Sequence, residues 1–435
     1  MLKHLKVWVL VAVVAASVLN FTSCGKKESP NTIHLSSWGD PQENEILQNL
    51  INEFEKQNPD VPVKLDRVPY GEYTDKLLTQ FTAGLAPDVI FVSSESVASF
   101  YPRNLLENLT PYIEKDKSVD LKALYPVLLK TYQIHGNMYA MPRDIAPVCV
   151  VYYNKKAFDD AKLAYPKDTW TTDEFVKDCL KLQKLDDKKN VTQWGFVEAY
   201  PLPDAWIYDF GGRFVDSPYK PTKYMVDQPG FLNGVKFRAD LMLKYKVMPT
   251  PASLQQAGGV GTSDMFAGGR AAMFMSGIWN VPLFRQTPNL KWDVVLIPKA
   301  PGVPRAVVGG SSGYGIVTTS KHKDSAWKLI AFLSGAEGQK LFAHTGLVQP
   351  ALKKVAESAD FLDGKDPLNK KMLLKAVDYS IDVPLATNWK EVQNGQIYTE
   401  LDKVWIGNET AEEAIAKLKV ELLKHPPVFQ ENSAK

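Results

Sequence analysis

The sequence predicts an α/β protein built as two lobes, and three observations carry that expectation. Strand and helix signals alternate through the first third of the chain, which is the pattern of a layered α/β architecture. Of the 435 residues, 412 remain once an N-terminal leader of 23 is set aside, more than a single hydrophobic core organises well. After that leader no run of 18 apolar residues occurs, so a soluble body is expected.

The leader comes first in the chain. Lys3 and Lys6 precede the apolar run Val7–Leu19, too short to span a bilayer core but suited to the central segment of a secretory leader. Phe21-Thr22-Ser23-Cys24 follows like a bacterial lipoprotein cleavage box, with Phe where Leu is usual. Cleavage there would make Cys24 the lipid-bearing N-terminus, and Gly25–Thr32 a short polar tether. An exported body, touching the cell envelope only through its lipid, is the expectation.

The body opens with a strand at Thr32–Ser36. Asp40-Pro41-Gln42-Glu43 then combines an N-cap, a proline at the first helical position and a glutamate at the third, ahead of Ile46, Leu47, Leu50, Ile51 and Phe54 at helical spacing. Strands are expected at Val61–Val68 and Asp88–Val92, with a helix at Tyr73–Ala83 between them. Pro147–Tyr153 reads as a further strand and Lys155–Ala161 as a helix. Thr171-Thr172-Asp173-Glu174 is a second capping box, for a helix running to about Leu185. Glycine pairs at 211–212, 258–259, 268–269 and 309–310 punctuate the middle, where Trp292–Ile297 and Ala306–Val308 look like strands. A helix is expected at Asp324–Leu333, and a third capping box, Thr410 to Glu413, heads the last one in a mostly helical C-terminal segment.

Composition excludes several functions. Lys3 and Lys6 leave with the leader, so 51 basic residues become 49 against 49 acidic ones, and no long basic run remains to neutralise phosphates. Nucleic acid is therefore not an expected partner. The six histidines are scattered without metal-ligand spacing, so neither a metal nor another cofactor is expected. Cys149 and Cys179 read as small core residues, a disulfide between them being the alternative. Gly309-Gly310-Ser311-Ser312-Gly313 matches the G-x-S-x-G pattern of a hydrolase nucleophile, but a strand-like Tyr314-Gly315-Ile316-Val317 follows where that turn needs a helix. No catalytic residues are assigned. Paired carboxylates far apart in sequence keep a glycosidase open as an enzyme alternative.

Aromatic residues beside polar ones in loops are the positive signal. Trp38, Trp206, Trp279 and Trp389 all sit in such settings, whereas Trp292 and Trp327 read as core. Indole faces stack on the C–H faces of a sugar ring while carboxylates and amides serve its hydroxyls. Caging a quaternary ammonium is another use of the same parts.

Six short segments in order complete the picture: Ala83–Val89 (AGLAPDV), Gly136–Pro142 (GNMYAMP) ahead of Tyr152-Tyr153-Asn154-Lys155, Phe266–Met273 (FAGGRAAM), Val308-Gly309-Gly310, Ser320-Lys321 and Ala326-Trp327. With them the chain resembles the extracellular solute-binding proteins of ABC importers, in the family that binds sugars, oligosaccharides and glycerol phosphodiesters. The resemblance covers roughly Thr32 to Leu423. It implies a two-lobe periplasmic-binding-protein fold whose lobes close on a ligand and dock on a permease. Lobe one would be 32–145 plus 305–346, and lobe two 146–303 plus 347–435, with hinges near Ile145–Val148 and Pro301–Arg305. Implied ligand contacts are Trp38, Asp40, Ser93, Ser94 and Glu95 on one side, Glu198, Tyr200, Trp206, Trp279 and Trp389 on the other, and Arg143, Asp144, Gly310 and Ser311 at the crossings. Glu95 and Asp144 would accept hydroxyls, and Trp279 and Trp389 would be ring platforms. The implied ligand is a mono- or oligosaccharide, with a glycerophosphodiester or polyol as the variant within the family and a non-transport glycan-binding lipoprotein as another class. A monomer is expected.

Overall fold

A computed structural model describes residues 29–147, 150–199, 203–256 and 260–428. The leader with Cys24, together with Cys149 and Tyr200, lies outside them. The described chain folds around two separate hydrophobic cores, one beneath each of two five-stranded sheets.

The first sheet contains β1 (Ile33–Trp38), β2 (Val63–Val68), β3 (Val89–Ser93) and β4 (Met141–Pro142), joined by a late strand, Ser312–Ile316. β1 lies between β2 and β3, parallel to both. The late strand runs antiparallel between β3 and β4. β3 is covered on both faces, and its sequence Val-Ile-Phe-Val is accordingly apolar throughout and buried. The helix Pro41–Gln57 covers this sheet; Asp40 caps it with an Oδ1 that accepts from the Glu43 amide at 2.8 Å, while Glu43 accepts from the Asp40 amide at 3.0 Å. Leu47, Leu50, Ile51 and Phe54 face inward, as their spacing predicts. The capping boxes at Thr171 and Thr410 also form.

The second sheet contains β5 (Val150–Asn154), β6 (Lys184–Leu185), β7 (Val191–Glu198), β8 (Ala271–Ser276) and β9 (Trp292–Leu296). β5 sits antiparallel between β9 and β8, and β8 runs parallel to β7. The capped helix ends at Leu182 and not near Leu185, because Lys184 and Leu185 pair with β7 instead. Strands β7 and β8 were not expected from the sequence; β8 is Ala-Ala-Met-Phe-Met-Ser, a short buried run whose periodicity names neither helix nor strand.

Among the described residues the chain passes between the cores at three places, between Ile145 and Val150, Val308 and Tyr314, and Ala351 and Val355. The first core thus extends through Leu347, Val348 and Ala351, past Gly346. Two crossings are tied together by the Ala146 amide, which donates to the Gly310 carbonyl at 2.7 Å. A short parallel ladder, β10 (Val307–Val308) with β12 (Ser380–Ile381), flanks the late strand of the first sheet, β11 (Ser312–Ile316). Close backbone approach explains the glycines here. A Cβ on Gly309 would lie 2.7 Å from the Ile381 carbonyl, and one on Gly313 would lie 2.5 Å from that of Met141.

Candidate functional site: the cleft between the lobes

Where the crossings end, side chains of the two lobes meet. On the first lobe, Trp38 at the end of β1 makes edge contacts with Tyr70 and Tyr73 at 5.6 and 5.0 Å, and lies over Phe91 at 4.1 Å. Tyr70 is 55% exposed and continues this aromatic wall outward. The helix Ser94–Phe100 starts beside it with Ser94 and Glu95. On the second lobe the wall comes from the helix Pro203–Asp209 and from the helical stretch around residues 389–405. Lys390 reaches across: its Nζ lies 3.4 Å from Thr74 Oγ1 and 5.7 Å from the Tyr70 ring centre. Between the lobes, a pocket is lined by Ser94, Thr131, Gly310, Ser311, Ser380 and Asp382.

Three carboxyls share this cleft. Burial pushes Glu95 above the usual carboxylate range, and the Lys390 ammonium pulls it part of the way back. No hydrogen bond from a described residue reaches its side chain. Asp204 is pushed up to about 7, first by burial and also by the charge of Glu95 opposite, although hydrogen bonds from Tyr398 Oη (2.7 Å) and Gln393 Nε2 (2.9 Å) oppose the shift. Asp382, raised by burial, accepts from the Tyr219 hydroxyl and lies near Lys130.

The structure sorts the residues expected from sequence into two groups. Trp38, Ser94, Glu95, Gly310 and Ser311 are at the cleft. Ser93 adjoins them but is engaged with Ser96 Oγ at 2.8 Å. Ser311 Oγ is 3.1 Å from Tyr132 Oη. The others are committed elsewhere. Asp40 is the helix cap described above. Asp144 is buried and accepts from the Ser312 amide (2.8 Å), Ser312 Oγ (2.5 Å) and Arg143 Nε (2.7 Å), so it locks a crossing and is engaged within the protein instead of facing a ligand hydroxyl. Arg143 in turn stacks on Phe91 at 4.3 Å. Glu198 is paired with Arg238 inside the second lobe, and Trp206, fully buried, donates to it at 3.1 Å. Trp389 is only 2% exposed and packs edge-on to Phe214 at 5.4 Å, as a core residue and not a platform. Trp279 is half-buried and packs from the second lobe against the first core, over Gly277, where a Cβ would collide with its ring. Cys179 is a buried free thiol.

Sequence reasoning missed Tyr70, Asp204, Asp382, Lys390 and Tyr398. Tyr70 had a readable cue, since it follows β2 as Trp38 ends β1. Asp204 stands two residues before Trp206, and Lys390 directly follows Trp389. The G-x-S-x-G match carries no nucleophile geometry: Ser311 faces Tyr132, Ser312 faces Asp144, and β11 follows. Among the described residues no cluster of His, Cys, Asp and Glu could hold a metal ion, and no helix is long and apolar enough to cross a membrane.

Comparison with known proteins agrees with this architecture. A family model for bacterial extracellular solute-binding proteins matches residues 38–340. The chain belongs to that family. It is 25% identical over 366 residues to a galactooligosaccharide-binding protein of Bacillus subtilis, covering 82% of each chain. To a multiple sugar-binding protein of Streptococcus mutans it is 24% identical, over 72% of this chain and 73% of the relative. Among solved structures, an ABC substrate-binding protein of Listeria monocytogenes in complex with cycloalternan superposes with a TM-score of 0.82 at 26% identity, over 91% of this chain and 98% of that one. The two-lobe α/β fold expected from the sequence is therefore the fold of this chain.

Proposed function

We propose that this protein is the solute receptor of an ABC importer and that its cleft takes an uncharged mono- or oligosaccharide. The observation that carries the reading is the pairing of a partly open aromatic wall, Trp38 and Tyr70, with the Glu95 carboxylate, which accepts from no described residue. The wall suits the C–H face of a sugar ring, and Glu95, Asp382 and Ser94 suit its hydroxyls. The sugar-binding relatives support the same class. The lobes would follow the two cores, with Leu347, Val348 and Ala351 on lobe one and Ala306–Val308 on lobe two, and would close on the ligand to present one face to the permease. The receptor would act as a monomer without chemical turnover, held to the envelope by lipid on Cys24; replacing Cys24 by Ala should then release it from membranes.

The test is a thermal-shift screen of the purified protein against sugars, oligosaccharides, polyols, glycerophosphodiesters and amino acids. A ligand at 100 times its Kd stabilises the folded state by about 2.7 kcal/mol. A saturable rise with a saccharide that is recovered intact is the expected result. A rise accompanied by product would replace the receptor reading with an enzyme, and no rise with any saccharide would overturn the ligand class.

A further inference from the structure

One helical stretch of the second lobe changes its winding midway. Trp389–Val392 and Thr399–Trp405 are α-helical, and Gln393–Tyr398 between them is a π-helix, a wider turn closed by i→i+5 hydrogen bonds. Such a turn takes up one residue more than an α-helix would, and the buried residues on either side reveal the excess. Trp389, Val392, Leu401 and Val404 all belong to the core of this lobe. On an uninterrupted α-helix they would spread over about 180°, whereas with one residue fewer between them they fall within about 80°. The two flanks therefore share one face, and the extra residue sits in the π-turn.

What the turn does is visible at the cleft. Gln393 Nε2 donates to Asp204 Oδ2 at 2.9 Å and to Tyr398 Oη at 2.8 Å, and Tyr398 Oη donates to Asp204 Oδ1 at 2.7 Å. Residues five apart point about 140° away from each other on an α-helix, but come to one side of a π-turn. The wider turn is thus what lets both donors reach one carboxyl. Desolvation and the Glu95 charge across the cleft raise that carboxyl, while the two hydrogen bonds and Arg238, on the helix Pro229–Leu243, lower it. The donors keep Asp204 available as an acceptor, and a carboxylate with about four lone-pair sites has room for a ligand donor beside them. Gly395, within the turn, is exposed, and open space surrounds the position a side chain would take.

We infer that the π-turn Gln393–Tyr398 is a positioning element of the ligand site: its extra residue sets Gln393 and Tyr398 together on Asp204, so that this carboxyl accepts a ligand hydroxyl from the side facing Glu95. The inference rests on the saccharide reading of the cleft. The experiment deletes Gly395, which restores an α-helical residue count without removing a side chain. It follows the Asp204 carboxyl by ¹³C NMR in aspartate-labelled protein, the signal being identified by its loss in Asp204→Asn. The deletion should still melt cooperatively, move the Asp204 midpoint to higher pH, and weaken binding of the saccharide found by the screen about tenfold or more, the loss of one hydrogen bond to a charged acceptor. Tyr398→Phe, which removes one donor and keeps the turn, should raise the midpoint by less, and it decides the matter if the deletion melts early. A midpoint unmoved in both variants would overturn the positioning role. A raised midpoint with unchanged affinity would overturn the contact with ligand. If no saccharide binds the parent protein, the function proposed above fails, and the titration still decides whether the turn positions Asp204.

Discussion

Replacing Asp204 by Asn should stabilise the protein at pH 8 and leave it nearly unchanged at pH 4. Asp204 is half-buried in the first turn of its helix, with a carboxyl raised by desolvation from an ordinary value of 3.8 to about 7. Because the folded state holds this proton more tightly than the unfolded chain, its contribution to stability is complete below about pH 4 and is lost as pH rises to about 7. A rise of that size corresponds to roughly 4 kcal/mol of cost above pH 7. Asn avoids that cost at every pH. It can still accept from Tyr398, and the Gln393 amide can turn to accept from its nitrogen. The advantage of the variant in chemical denaturation should therefore grow by roughly 4 kcal/mol from pH 4 to pH 8, or a melting-temperature gap on the order of 8 °C for a lobe of this size. Glu95→Gln, which removes the opposing charge, should shift the window to lower pH. A difference between Asp204→Asn and the parent that does not vary with pH, or that grows toward acid, would refute the argument.

Three further outcomes follow from the packing. Gly309→Ala places a Cβ 2.7 Å from the Ile381 carbonyl, a backbone atom that cannot yield without opening the β10–β12 ladder, and should cost about 1–3 kcal/mol in urea denaturation. Trp389→Ala removes a buried ring and should cost about 3–5 kcal/mol; an unchanged melting temperature with lost ligand binding would instead make it a platform. Lys390→Met removes the cation that reaches Thr74 and opposes the burial of Glu95, so titration calorimetry with the saccharide found by the screen should show binding weakened by about 1 kcal/mol, with a larger radius of gyration in solution scattering.

How far the sequence could be read depended on the range of the interactions involved. The three capping boxes are local, each written within four residues, and all three form. β1, β2 and β3 were legible because period and punctuation are local as well. Site residues were less so. Glu198 looked available until Arg238, forty residues later, was seen to hold it, and Asp144 looked available until Ser312 was brought beside it by β11. Trp206 and Trp389 were placed in loops by their polar neighbours, whereas both lie in helices that bury them. A tryptophan's surroundings in sequence say little about which side of a helix meets the core. Lys390 illustrates the converse: its partners Tyr70 and Thr74 are more than three hundred residues earlier, so nothing near it could announce a contact between lobes.

The charges in the cleft give a reason for closure to depend on ligand. Glu95 and Asp204 come from opposite lobes and repel each other, and each incurs a desolvation penalty as the lobes approach. Lys390 offsets part of this for Glu95, and Tyr398 with Gln393 does so for Asp204. Glu95 is the one carboxylate of the three that accepts no hydrogen bond from a described residue. Partly desolvated in the cleft without a partner, it opposes closure until a donor reaches it. A hydroxyl brought by a saccharide donates to Glu95 only when the lobes are together, so its binding energy differs between the open and closed forms. That difference, and not affinity alone, is what a receptor needs if a permease is to read its closed shape.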